Sequence, residues 1–186
     1  MANLILASSS TRRKELLEQV GLSFDIFSPD IDESVWSDES VDAYVKRLAE
    51  AKAQAVLTQF PSATVIAADT SLSLDGRIIG KPESKHHAFE IWAALSGRQH
   101  QVFSGVCVAN AKKIKSSVVV TRVSFQHLSH ADMEKYWATG EPIGKAGGYA
   151  IQGYAAQYIP TITGSYSNVV GLPLHETLQI LAEFQN

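Results

Sequence analysis

The chain lacks most of what would place it outside the ordinary globular class. Cysteine occurs once in 186 residues, at Cys107. A lone thiol allows no intrachain disulfide and no cysteine-based zinc site, and its setting, Val106-Cys107-Val108, reads as strand core. No apolar run approaches the ~20 residues of a membrane span. The first residues show no charged segment followed by a long apolar one, so no secretory signal is expected. Charge of one sign is missing too. Sixteen Lys and Arg against 19 Asp and Glu leave a net charge of −3, so no general attraction to a nucleic-acid polymer or an anionic membrane is expected. Basic residues can then matter only locally. Repeats, linkers and low-complexity tracts are also absent. A reducing, cytoplasmic setting fits this inventory.

An apolar share of 45% is ample for one core. A single domain over residues 1–186 is expected, with room for two lobes around a cleft. Strand and helix patterns alternate, which predicts an α/β or α+β domain with a mixed sheet. Strands are expected at residues 3–7, 23–27, 63–68, 71–74, 77–79, 99–109, 117–127 and near 158–163. Ser10 or Thr11 opens a helix to about Val20, closed by Gly21. Ser40 opens a long one to about Gln59, Ser84 one to Leu95, and Ser129 one ending near Gly140; a last helix follows Pro173. Asp75-Gly76 signals a hairpin. Residues 144–153 are glycine-rich and irregular.

The most informative stretch is Ala7-Ser8-Ser9-Ser10-Thr11-Arg12-Arg13-Lys14. A strand runs into hydroxyls, and a helix then opens on cations. The first turn of a helix has unpaired N–H groups and positive partial charge, so cations are unfavourable there unless an anion joins them. Ser8, Ser10, Arg12 and Arg13 together make a phosphate site. The same turn would also serve as a capped surface helix with solvated arginines, and the residues alone leave both readings open.

Further candidates follow along the chain. Asp69 ends the buried run Val65-Ile66-Ala67-Ala68, at the kind of strand end that faces a crevice in open sheets; it would also serve as a plain turn residue. Ser71 and Ser73 should share its face, with Thr70, Leu72 and Leu74 on the other. Lys52 lies on the apolar stripe of its helix with Tyr44 and Leu48, so it must snorkel outward, the commoner outcome, or find an anion. Asp32-Glu33 offers hard oxygen ligands that with Asp69 could hold magnesium, or is an exposed acidic loop. Residues 76–81 invite comparison with a P-loop, but the glycine spacing is short, Pro82 stands where Ser or Thr is needed, and a strand carries Lys81. Lys81 is kept as a phosphate cation. Gln152 ends the glycine-rich stretch with an amide suited to a base edge. The histidines show no ligand spacing, and solvated or helix-surface positions are expected for them.

In this order the segments resemble the Maf family of nucleoside triphosphate pyrophosphatases. The resemblance is carried by Ala7 to Arg13, Asp32-Glu33, Leu48 to Ala53, Ala68-Asp69-Thr70, Gly80-Lys81-Pro82, Ala146 to Gly153 and Gly164 to Pro173. Tyr149 to Gly153 is similar to the dTTP/UTP branch. The resemblance implies an ITPase-like fold with two lobes around a deep cleft, and hydrolysis of dTTP, UTP and modified pyrimidine nucleotides to the monophosphate and pyrophosphate. It also implies a divalent cation, Mg2+ or Mn2+, held by Glu33 and Asp69. It implies Asp69 as proton acceptor, Glu33, Lys52 and Lys81 as catalytic partners, Arg13 in the phosphate region, and Arg12, Thr70 and Gln152 in substrate choice. Two positions depart from the family pattern. Thr11 stands where proline is usual, and Ser71 stands where an apolar residue is usual and could bond the acid. A nucleotide sensor acting on cell division through a partner is the alternative; it would need the cations but not the carboxylates. A homodimer is the default expectation.

Overall fold

The computed structural model describes residues 3–184. Its elements are β1 (Leu4–Leu6), α1 (Thr11–Gln19), β2 (Asp25–Ile26), α2 (Val41–Gln59), β3 (Thr64–Leu74), β4 (Arg77–Ile79), α3 (Lys85–Leu95), β5 (Gln99–Ala109), β6 (Ile114–Ser124), α4 (His130–Ala138), β7 (Thr161–Thr163), α5 (Tyr166–Val170) and α6 (Leu174–Ala182). The sheet order is β2-β1-β3-β5-β6-β7, with β4 also on β3. β1 runs parallel to β2 and β3, and the remaining pairs are antiparallel. This is the mixed sheet the alternation predicts.

Side-chain alternation along β3 divides the core. Val65 and Ala67 pack with Ile5, Ala7 and Cys107 under α2. Ile66, Ala68, Leu72 and Leu74 pack on the other face with Leu16 and Leu17 of α1, Trp92 of α3, Tyr136 of α4 and Leu181 of α6. One helix therefore covers one face and the remaining helices the other. Gly105, opposite Asp69 on β5, lets α2 lie close, because a Cβ there would stand 2.3 Å from the Val45 carbonyl oxygen.

Several boundaries move. Residues 63–68 and 71–74 were expected as two strands with Asp69 ending the first; they form one strand of 11 residues. The reason is pairing, since β5 accompanies β3 from Val65 through Ser73 without a break. Asp69 lies mid-strand, yet it still faces an opening. On the opposite edge of β3, β1 pairs only as far as Ile66 and β4 begins at Leu72. Among the described residues no strand fills the gap between them. The seventh strand is shorter than expected, because Tyr154–Tyr158 forms a 3-10 turn before it. Ser40 precedes its helix without a side-chain cap bond, whereas Ser10, Ser84 and Ser129 all cap theirs. Asp75 and Gly76 both take positive φ, 52° and 79°, the pairing a tight two-residue hairpin demands.

Candidate active site

The gap in the sheet opens into a cavity of about 440 Å³. Its wall collects Ser8 to Arg13, Glu33, Lys52, Asp69 to Leu72, Lys81, Lys145, Tyr149 and Val169 to Gly171. Of the sequence candidates, Ser8, Ser10, Arg12, Arg13, Glu33, Lys52, Asp69, Thr70 and Lys81 meet here. Gln152 does not; it is exposed and stands outside the wall. Asp32 is exposed as well and caps its own loop through the Ser34 N–H at 2.9 Å.

Lys52 is the centre of the acidic side. Its apolar-stripe position buries it to 9% exposure, beside Asp69 at 8%. It does not snorkel. Its ammonium donates to Asp69 Oδ1 at 2.8 Å and meets Glu33 Oε1 at 2.7 Å. Partial burial works to raise the Glu33 pKa, but the hydrogen bond and charge of Lys52, with Lys81 and Arg13 behind it, hold the carboxyl below its ordinary range. The loop bearing Glu33 is fixed from α2. Tyr44 donates its phenol to the Glu33 carbonyl at 2.9 Å, and burial, with the Asp69 and Glu33 charges, pushes that phenol up to about 12, so it stays a donor. Arg47 holds the far end of the loop through Glu39 and the Ser34 carbonyl. Tyr44 was read from the sequence as core alone; its phenol oxygen was the signal for a second task.

The two arginines diverge, as adjacent helical residues must at about 100° per residue. Arg13 turns inward and is largely committed to the protein. It donates to the Gly171 carbonyl at 2.8 Å, to Ser8 Oγ at 3.1 Å and to Thr70 Oγ1 at 3.3 Å. Burial lowers its pKa, opposed by the Asp69 charge. Arg12 is half-buried on the opposite flank, where burial again lowers its pKa, opposed by Tyr136 and Glu141. Thr70, on the face opposite Asp69, bonds Ser104 Oγ at 2.8 Å and the Gly171 carbonyl at 3.2 Å. Ser104 in turn donates to the Asn168 carbonyl at 3.2 Å, and Asn168 donates to the Val102 carbonyl and Thr121 Oγ1 at 3.1 and 3.0 Å. This buried network seats α5 on the sheet and brings Val169, Val170 and Gly171 to the cavity. No element was expected at residues 166–170, because a five-residue helix is too short to show a period.

The remaining wall is formed by residues 144–149. The Gly147 N–H donates to the Gly80 carbonyl at 2.9 Å, which ties this segment to the loop bearing Lys81; the strand expected to carry Lys81 ends at Ile79, since Pro82 has no N–H to continue the pairing. Gly147 takes φ 65° and lies so close to β3 that a Cβ would stand 2.7 Å from Leu72 Cδ1. Behind it, Tyr149 Oη pairs with His100 Nε2 at 2.7 Å. His100 is 2% exposed, a correction to the expected solvated histidines; burial pushes it down to about 4, so the ring is neutral. Its strand packs under this segment, which no spacing along the chain could show. Ser71 lines the cavity, but among the described residues no hydrogen bond joins it to Asp69.

The cavity thus has two chemistries. Around Asp69, Glu33 and Lys81 it is charged and polar. Along Leu72, Val102, Tyr149, Val169 and Val170 it is apolar, with Arg12 and Lys145 beside it. The two carboxylates meet at the Lys52 ammonium through one oxygen each, and a pair of acids in a phosphate-sized cavity is the donor set of a divalent cation of the magnesium kind, which takes one or two carboxylates and completes its shell with phosphates and water. Among the described residues no third acid joins them, and no helix is long and apolar enough to cross a membrane.

Structural likeness is found to the Ham1 protein of Staphylococcus aureus, with a TM-score of 0.56 at 14% identity over 99% of this chain and 100% of that one. The HAM1 protein of Coxiella burnetii gives 0.55 at 19% identity over 100% and 98%. At such identities the likeness concerns the fold, a mixed-sheet α/β architecture of the Ham1 kind. Among sequences, the dTTP/UTP pyrophosphatase of Acinetobacter baylyi is 67% identical over 176 residues, covering 95% of this chain and 96% of its own. That of Colwellia psychrerythraea is 47% identical over 184 residues, covering 96% and 87%. The family profile described as Maf-like protein matches residues 3–184, and the chain belongs to that family.

Proposed function

We propose that the protein hydrolyses nucleoside triphosphates, dTTP and UTP first among them, to the monophosphate and pyrophosphate. One observation carries this reading: Glu33, Lys52, Asp69 and Lys81 gather in one cavity that also has an apolar wall, in which Leu72, Val102, Tyr149, Val169 and Val170 belong to one packed cluster. A triphosphate needs the charged groups and a pyrimidine base the apolar wall. The names of the Acinetobacter and Colwellia relatives agree with that substrate class.

In the reaction, water attacks the α-phosphorus. A P–O bond forms there, the bridging bond to the β-phosphate breaks, and pyrophosphate leaves. Asp69 has one carboxylate oxygen held by Lys52, which orients the group; the other takes the proton of the attacking water. Lys52 and Lys81 set positive charge against the phosphate oxygens, where negative charge is redistributed as the bond breaks. Arg13 acts mainly by holding Ser8, Thr70 and Gly171 in register within the same cavity. Glu33 and Asp69 would hold a divalent cation, Mg2+ or Mn2+, which when bound would neutralise phosphate charge. Leu72, Tyr149 and Val170 exclude water from the base.

Purified protein with dTTP and magnesium should yield dTMP and pyrophosphate in equal amounts. Orthophosphate with dTDP would overturn attack at the α-phosphorus. Tight binding without turnover would instead favour a nucleotide sensor that acts through a partner.

A further inference from the structure

Glu141 has no part in the chemistry above, yet it organises one flank of the cavity. It lies three residues after the end of α4 and is half-buried. Oε1 accepts the Tyr136 phenol at 2.6 Å and the Ala155 N–H at 3.4 Å. Oε2 accepts the Tyr154 N–H at 2.7 Å. The Tyr136 phenol oxygen accepts the Ala150 N–H at 3.2 Å. One carboxylate and one phenol therefore hold the backbone on both sides of Ile151-Gln152-Gly153. The carboxylate lies directly on Gly153, where a Cβ would stand 1.9 Å from Oε2. Any larger residue must expel the acid.

The same residue reaches the cavity wall. The Glu141 carbonyl accepts the Lys145 ammonium at 2.5 Å. Arg12 feels both Glu141 and Tyr136 as compensating partners. Lys145 and Arg12 line the cavity, and Tyr149 lines it immediately before the clamped segment. Among the described residues none of the three makes a hydrogen bond or ion pair with Glu33, Lys52 or Asp69.

We infer that Glu141 is a positioning residue for base selectivity: through Tyr136, Gly153 and Lys145 it fixes the backbone that follows Tyr149 and the cations of the cavity wall that meet the pyrimidine, without touching the reacting phosphates. The inference rests on the pyrophosphatase reading. It predicts a loss in discrimination rather than in chemistry, because the phosphate site keeps all its groups.

The test measures pyrophosphate release from UTP and CTP for wild type, Glu141→Gln, Glu141→Ala, Gly153→Ala and the Glu141→Ala/Gly153→Ala double variant. Unfolding midpoints are measured alongside. Wild type should favour UTP. Glu141→Ala should raise KM for UTP more than it lowers kcat, and cut the UTP-to-CTP ratio of kcat/KM by about tenfold, the scale of one lost hydrogen bond. Glu141→Gln keeps the shape and one acceptor, so it should retain part of the selectivity. Gly153→Ala should reproduce Glu141→Ala, and the double variant should be no worse than either single one, since removing the acid removes the clash. Equal losses for UTP and CTP, or a glycine effect that adds in full to Glu141→Ala, would overturn the inference while leaving the pyrophosphatase reading intact. Should Glu141→Ala not fold, Glu141→Gln and Gly153→Ala carry the same comparison. No pyrophosphate from wild type would overturn both readings.

Discussion

Lys52 and Asp69 should be unequal when removed, and the geometry says by how much. Both are nearly buried, and their charged atoms stand 2.8 Å apart. Lys52 has a second partner in Glu33 at 2.7 Å, whereas Asp69 has no other ion-pair partner among the described residues. Asp69→Asn therefore leaves the ammonium paired, and the amide oxygen still accepts from it. Its cost to folding should be about 1–2 kcal/mol, the scale of a weakened charged hydrogen bond. Lys52→Met leaves a buried carboxylate without its hydrogen-bonded cation, with only the longer-range charge of Arg13 against it. Removing one member of a buried pair costs about 3–5 kcal/mol, and the apolar fit of Met on that stripe offsets only part of this. Urea unfolding should place the Lys52→Met midpoint well below that of Asp69→Asn at unchanged slope. The double variant should recover part of the Lys52→Met loss, because it removes the stranded charge. Turnover reads differently. Asp69→Asn should lose about 10²–10⁴-fold, the range for a missing general base, and Lys52→Met should be impaired too. The reasoning fails if the two single variants unfold at the same urea concentration, or if Asp69→Asn keeps near-normal turnover at saturating metal.

Three further expectations follow from neighbouring residues. Arg12→Ala should narrow the preference for UTP over CTP more than it weakens triphosphate binding, because a guanidinium has only donors to offer O4 of uracil; equal weakening of all triphosphates in competition binding would make Arg12 a phosphate clamp instead. Arg13→Lys should destabilise the protein by about 2 kcal/mol in urea melts, since one ammonium cannot reach Gly171, Ser8 and Thr70 together; an unchanged midpoint would refute this. Glu33 has a folded-state pKa below its ordinary 4.5, so its carboxylate adds stability that is fully present above the unfolded value and lost as pH falls through the lowered folded one. Glu33→Gln should thus lower the melting temperature at pH 7 and converge with wild type in acid below pH 4.5; a constant difference across that window would exclude the linkage.

Much of the fold was legible because its cues are local. Ser10, Ser84 and Ser129 stand before periodic apolar stripes, and the helices begin there. Asp75-Gly76 supplies the two positive φ values that a tight hairpin needs. The ordered pieces around Arg12, Asp69 and Lys81 also pointed to the family through their resemblance, whereas the serine-rich turn and its two arginines by themselves left a phosphate site and a capped surface helix both open. Local cues reached their limit where distant groups compete for one place. That Lys52 ends between Glu33 and Asp69, rather than snorkelling to water, depends on α2 pressing onto the sheet at Gly105 and on Tyr44 and Arg47 pinning the acidic loop. Arg13 is committed to a carbonyl 158 residues away, which no spacing near residue 13 could reveal. Asp69 was expected at a strand end and lies mid-strand; the site exists because β1 stops and β4 starts late on the same edge of β3. Gln152 and His100 exchange their expected places, one outside the cavity wall and one sealed beneath it, because the 144–158 segment is shaped by Glu141, Tyr136 and close glycine contacts rather than by its own sequence period. Composition and pattern determined which chemical groups the chain owns and the elements that carry them, since capping, turn chemistry and side-chain alternation act over a few residues. Which groups meet was decided by the tertiary structure, through long-range strand pairing and the burial of charge that only a partner from another element can satisfy.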